Sequence, residues 1–406
     1  MKIGLLGEYY SKNLGDPLLF SCTEYLCRKE GASDLQIKNI DIFGRTFSGD
    51  DSVWYYFDKN PIVLGLKVIR KLAKIFGVIN TLWLDEYIWQ MGTARKNLIK
   101  SFRDQMQGLD GIIVMGAGSI KYDVRLNFAP YYMAFMTTAS ELGIPVFINC
   151  AGIESKYNQK DRRCRQFCKV LSMDILKIAT TRDDLNTLKQ MIHNPHTEVA
   201  RIADIGVWSA ETFNISKKET NIIGLGIITP IRFAEFKRRI TPQQYEEEML
   251  KIINTLEKQN KKWKLFNNGD VCDSEYAKEL CEKAGINPSD KLLTPKTPKE
   301  LVEIISGFQG IITSRLHSCI VSYSLGIPFV AISWNNKLKY FADNIGVSER
   351  VMDSDELNFS RVLEKFELAV SQGYCDINKE KYRQTSIVYI KKYLTAIEEE
   401  MNGRRQ

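Results

Sequence analysis

The sequence predicts an α/β protein: two Rossmann-like, open parallel-sheet domains in tandem, facing a shared cleft. Three observations predict it. Short β-type apolar runs alternate with helical stretches along the chain, the pattern of parallel strands with helices on both faces. The 406 residues exceed the size at which one core keeps growing, so two domains of roughly 200 residues each are expected. A polar, aperiodic stretch at 209–220 interrupts the alternation and reads as a linker.

In the first domain, 1–208, strands are expected at Lys2–Leu6, Gly111–Met115, Pro145–Asn149, Ile178–Thr181 and Ala200–Ile205. Helices fall between them, Pro17–Arg28 and Tyr131–Leu142 among them. The second domain, 221–378, opens with a strand ending at Gly226. Thr241-Pro242 then supplies an N-cap and a first helical residue, for a helix running to Lys258. Strands follow at Trp263–Phe266, Lys291–Leu293, Gly310–Ile312 and Phe329–Ile332, with helices at Ser274–Ala284 and after Thr297-Pro298. Residues 379–406 carry an amphipathic helical pattern, and such a helix could return to pack on the first domain.

The composition, 44% hydrophobic and 26% charged, is that of an ordinary globular protein. A net charge of +7 suits an anionic substrate or an acidic membrane surface, but no dense Lys/Arg block argues for nucleic acid. Nine scattered cysteines with no C-x-x-C pair read as reduced thiols in a cytoplasmic protein. The N-terminus reads as a strand rather than a signal peptide, and no apolar run is long enough to span a bilayer.

Thr313-Ser314-Arg315-Leu316-His317-Ser318 lies between an apolar run and a helical stretch. Arg315 and His317 are therefore expected at the carboxyl end of a strand and the N-terminus of a helix, where free N–H groups and the helix dipole favour an anion. Arg offers a planar fork for carboxylate or phosphate, and His can carry a proton near neutral pH. The alternative is a surface Arg and a capping His. Only three histidines occur, and the other two, His193 and His196, sit in a polar loop.

Three more strand-end loops are candidates. Between Glu8 and Pro17, Asp16 is a suitable N-cap and Pro17 a suitable first helical residue. The functional reading has Asn13 and Asp16 binding sugar hydroxyls, with the carboxylate able to act as a base. In Gly116-Ala117-Gly118-Ser119, two glycines allow close approach of a ligand to the backbone. Lys121 stands where a third glycine would complete a dinucleotide fingerprint. Arg182 follows another strand and offers either a second cation for an anion or an ion pair with Asp183 or Asp184. Asp204-Ile205-Gly206 reads as a turn. No cluster has metal-ligand spacing, and no Gly-x-Ser-x-Gly elbow occurs. The aromatic and basic stretch 52–90 leaves two readings open: a helix packing on the sheet, or contact with a membrane surface or lipid-linked acceptor.

In order along the chain, Asn13-Leu14-Gly15-Asp16, Gly116-Ala117-Gly118-Ser119, Thr181-Arg182-Asp183, Asp204, Arg315-Leu316-His317 and Leu325-Gly326-Ile327-Pro328 resemble the polysaccharide pyruvyl transferase family. The resemblance runs roughly from Lys2 to Gly346. Two positions depart from the family pattern: Ala117, where a third consecutive glycine is usual, and Asp204-Ile205, where Asp-Pro is usual.

The resemblance implies a glycosyltransferase-B-like (GT-B-like) pair of domains. It also implies transfer of a pyruvyl group from phosphoenolpyruvate to a sugar, with no nicotinamide, other cofactor or metal. By the same resemblance, Arg315, Leu316 and His317 would hold phosphoenolpyruvate, Arg182 would add a second cation, and His317 would be the general acid. Asp16 would be a base or acceptor contact, beside Asn13, Gly116, Gly118 and Ser119. The rival readings are a GT-B glycosyltransferase with a nucleotide-sugar donor and a non-catalytic sugar-binding relative. The acceptor sugar, the product (ketal or enol ether) and the oligomeric state stay open.

Overall fold

The structure, a computed structural model, describes residues 1–49, 61–75, 92–122, 127–236 and 238–405. Runs of branched and aromatic residues form its central strands, which are buried on both faces as parallel strands require. In chain order the strands are β1 (Lys2–Gly7), β2 (Gln36–Asp41), β3 (Gly111–Val114), β4 (Val146–Ala151), β5 (Leu176–Thr181) and β6 (Glu198–Arg201). Then come β7 (Ile223–Gly226), β8 (Trp263–Phe266), β9 (Leu292–Leu293), β10 (Gly310–Thr313), β11 (Phe329–Ser333) and β12 (Val351–Asp353).

Two six-stranded sheets result, ordered β2-β1-β3-β4-β5-β6 and β12-β11-β10-β7-β8-β9, with every pairing parallel. The chain reverses its direction of travel across the first sheet between β1 and β3, and across the second between β7 and β10. Crevices open outside the strand ends at such switch points, and this places the loops after β1, β3, β7 and β10 around the cleft.

Local chemistry explains the helix starts. Thr241 and Gln244 form a reciprocal capping box, and the Thr297 hydroxyl accepts the Glu300 N–H at 3.2 Å. Two edge strands, β2 and β12, were absent from the sequence reading. The expected strand Ala200–Ile205 ends at Arg201, because Asp204 caps a 3-10 turn, Ile205–Trp208, by accepting the Gly206 N–H at 2.8 Å. The polar stretch 209–220 is not all extended: Ser209–Phe213 is a short helix closed by Asn214 in the left-handed region.

The C-terminal helix, Asp376–Arg405, crosses the first sheet. Its Tyr393 hydroxyl lies 2.8 Å from Thr180 Oγ1 on β5, and its Ile397 fills the space over Gly111 on β3. One apolar cluster joins β1 (Ile3, Leu5), helix Gly15–Glu30 (Leu18), helix Leu316–Ser324 (Ile320), β11 (Phe329) and this helix (Ile390). Of the stretch 52–90, the helix Pro61–Ile75 is described; the aromatic runs on either side lie outside the described residues.

Candidate active site

Arg315 ends up where its sequence neighbours direct it, immediately after β10, as the N-cap residue of helix Leu316–Ser324. His317 follows in the first turn and is almost fully buried. Its ring packs against the start of helix Gly15–Glu30. A Cβ on Gly15 would stand 1.8 Å from His317 Nδ1, so glycine is needed there for close approach and not for an unusual turn. The seam between the two sheets is fastened beside it by Asn268. Its carbonyl accepts the Leu14 N–H at 2.8 Å, and its side chain accepts the Ser318 hydroxyl at 2.6 Å.

From the first sheet, β5 delivers Arg182. Its Nη1 lies 3.3 Å from His317 Nε2. Arginine can only donate, so Nε2 accepts and the ring proton belongs on Nδ1. Arg182 also pairs with the buried Asp204 and not with Asp183 or Asp184. Asp183 instead accepts the Ile153 N–H at 3.1 Å, and Asp184 caps the next helix through the Thr187 N–H at 3.0 Å. Burial works against the Arg182 charge, but Asp204 and Asp183 outweigh it and hold the group cationic. Burial and the adjacent Arg182 together push the His317 pKa down to about 3. In the structure as it stands, His317 is a neutral imidazole. A ready imidazolium, which the acid role needs, forms only when an anion sits beside it.

Arg315 is likewise less open than its sequence position suggests. Its Nε donates to Asp273 Oδ2 at 2.7 Å, its Nη2 bonds the same carboxylate, and Asp270 stands at 3.5 Å. A guanidinium largely withdrawn from water needs a counter-charge when no ligand supplies one. The acid that supplies it lies 42 positions away, beyond any local pattern. Nη1 is the arm left over.

The cleft above these groups has a volume of about 390 Å³, with Arg182, Arg315, Leu316 and His317 in its lining. Asn13, Asp16 and Gly118 line it from the first sheet. Gly116 and Ser119 do not: Gly116 backs onto the Cys150 carbonyl, and Ser119 is buried. Asp16 does not cap its helix, since Leu14 occupies the N-cap position without a side-chain bond. The Asp16 carboxylate instead accepts Ser11 Oγ at 2.8 Å and Asn13 Nδ2 at 3.3 Å. Ala117, in place of a glycine, sits in the left-handed region at φ 48°. It is held there by the Gly152 N–H on its carbonyl at 2.7 Å.

Four charged residues to which the sequence reading assigned no site role also line it: Glu8, Lys121, Glu154 and Lys337. Glu154 follows β4 and Lys337 follows β11, and their ion pair ties one sheet to the other across the cleft. Gly118 makes room for it, because a Cβ there would stand 1.7 Å from Glu154 Oε1. Burial acts to raise the Glu154 pKa, but Lys337 and Lys121 outweigh it and hold the carboxyl below its ordinary range.

Glu8 behaves in the opposite way. Burial and then the charge of Asp16 raise it to about 7, against the pull of Lys121, whose Nζ is 3.7 Å away. Burial raises Asp16 as well. The lining cations Lys12, Lys121, Arg182, Arg232, Arg315 and Lys337 outnumber the carboxyls Glu8, Asp16, Glu154 and Asp270, so an anion is favoured here. Among the described residues, no group of three or more His, Cys, Asp or Glu is placed to hold a metal ion.

Solved structures share this architecture at low identity. A UDP-GlcNAc 2-epimerase from Methanocaldococcus jannaschii matches at TM-score 0.56 and 12% identity, covering 96% of this chain and 98% of that one. The Neisseria meningitidis enzyme of the same name, bound to UDP-GlcNAc, matches at 0.51 and 12%, covering 99% and 100%. Anabaena HepE in complex with UDP and glucose matches at 0.50 and 8%, again covering 99% and 100%. At these identities the likeness defines the fold, which is GT-B-like, and nothing more. None of the curated proteins matches the chain. Kinship is shown instead by the sequence: the model for polysaccharide pyruvyl transferase matches residues 13–336, and the chain belongs to that family.

Proposed function

We propose that the chain transfers a pyruvyl group from phosphoenolpyruvate to hydroxyls of a sugar in a cell-surface polysaccharide or its precursor, releasing phosphate. The observation that carries this reading is the convergence of Arg182, Arg315 and His317 on one wall of the cleft, from β5 and β10. Phosphoenolpyruvate bears a carboxylate and a phosphate, and the free N–H groups of helix Leu316–Ser324 with the cationic surplus of the lining suit both.

The methylene carbon of the donor takes a proton and its neighbour becomes oxocarbenium-like. A sugar hydroxyl oxygen bonds to that centre and gives up its proton. A second hydroxyl then attacks, the bond to the phosphate oxygen breaks, and a ketal remains. His317 is the proton source in this scheme. Burial and Arg182 hold it neutral, and a dianion beside it opposes the Arg182 charge, so donor binding favours the charged ring. Asp16 and Glu8, in the same cleft lining, are the carboxylates that can accept the proton of an attacking hydroxyl. The cytoplasm, where phosphoenolpyruvate is made, is the compartment this reading requires, and all nine cysteines are unpaired.

Calorimetric titration tests the donor directly. Phosphoenolpyruvate should bind and UDP-sugars should not, and phosphate should appear when a sugar with neighbouring hydroxyls is added. Binding of UDP-sugars alone would return the chain to the nucleotide-sugar reading. Donor binding without phosphate release from any such acceptor would favour a non-catalytic relative.

A further inference from the structure

We infer that the helix Pro61–Ile75 is a docking surface for an anionic lipid bilayer. This goes beyond the proposed reaction, since docking does not depend on which group is transferred. A helix that packs on a globular core hides its apolar stripe and shows its lysines to water. This helix does the reverse. Val63 is fully buried, while Leu64, Val68 and Leu72, spaced four apart, are 47%, 58% and 47% exposed. Ile69 widens the stripe and is 51% exposed. The four side chains cover an arc of about 140°, roughly opposite Val63. A contiguous apolar face on the outside marks an interaction site.

Charge selects the occupant. Lys67 and Lys71, also four apart, flank the leucine edge of the arc, and among the described residues neither has a carboxylate partner. An apolar arc with lysines along its margin fits the headgroup region of an anionic leaflet, where the side chains enter the acyl boundary and the ammonium groups meet lipid phosphates. The net charge of +7 acts in the same direction. Fifteen residues make a rod of about 22 Å, short of the ~30 Å hydrocarbon core. Among the described residues, no helix is long and apolar enough to cross a membrane, so the helix lies in the surface plane.

The test is flotation of the full chain with phosphatidylcholine vesicles, with and without phosphatidylglycerol. The wild type should float with the phosphatidylglycerol vesicles and less so in high salt. Leu64→Gln/Val68→Gln should lower the partition coefficient at least ~tenfold, and Lys67→Gln/Lys71→Gln should abolish the preference for the anionic lipid, both with unchanged Tm. A wild type that floats with neither vesicle, or a Leu64/Val68 variant that floats like wild type, overturns the assignment. So does a wild-type dimer that the same apolar substitutions convert to monomer, because the face would then belong to a second copy.

Discussion

Replacing Glu8 with glutamine should make the protein's stability less dependent on pH, by an amount the site itself sets. Burial and Asp16 lift the Glu8 carboxyl from its ordinary 4.5 to about 7, a rise of about 2.5 pH units, worth about 3.5 kcal/mol at 1.4 kcal/mol per unit. The folded chain therefore holds a proton that the unfolded chain has lost over this window. The stabilisation from protonated Glu8 is complete below about pH 4.5 and disappears as pH rises through about 7. Above that, the native state carries an ionised carboxylate in a largely buried place beside Asp16. Glutamine keeps the shape and removes the charge. Urea unfolding of wild type and Glu8→Gln near pH 4.5 and near pH 8 gives two stability differences. The variant should gain up to about 3 kcal/mol relative to wild type between the two conditions. The attraction of ionised Glu8 to Lys121 is already contained in its pKa, and contributions of the substitution that do not change with pH cancel in that comparison. A stability difference that stays constant across the range would refute the argument and return Glu8 to an ordinary ionised residue.

His317→Ala should fold normally and lose ~100-fold or more in turnover, read as phosphate release from phosphoenolpyruvate; near-full activity would remove the imidazole from the chemistry. Arg315→Lys should raise the donor KM while sparing kcat, because a point charge cannot replace a planar fork that Asp273 already holds by two of its nitrogens; an unchanged KM contradicts this. Gly15→Ala places a methyl group where His317 Nδ1 now lies. It should cost turnover about tenfold or more by turning the ring, with a smaller effect on Tm because alanine favours the helix it enters. Full activity in that variant would show that the ring need not sit where it does.

The central strands were legible because parallel strands buried on both faces must be continuous apolar runs, and the loops that follow them inherit their place in the cleft. Edge strand β2, Gln36–Asp41, was not legible: with one edge and much of its surface in water, its sequence QIKNID carries too little apolar signal. Arg315 and His317 could be found from a strand-to-helix turn. Their present partners could not, since Asp273 meets Arg315, and Arg182 meets His317, only through the fold. Asp16 shows the limit of local rules. Asp-Pro after a turn reads as a cap, yet the Leu14 carbonyl already accepts the Leu18 N–H at 3.0 Å. The helix therefore begins earlier, and the carboxylate is left to Ser11 and Asn13.

The apolar cluster that runs from β1 through helices Gly15–Glu30 and Leu316–Ser324 to the C-terminal helix bears on how this molecule can move. Wide hinge opening would wet leucines and isoleucines that belong to both halves at once, so the cleft is confined to small adjustments of its loops and ion pairs. The same seam ties together two halves that each keep a buried apolar cluster of their own, and a chain nicked near Asn214 would stay together.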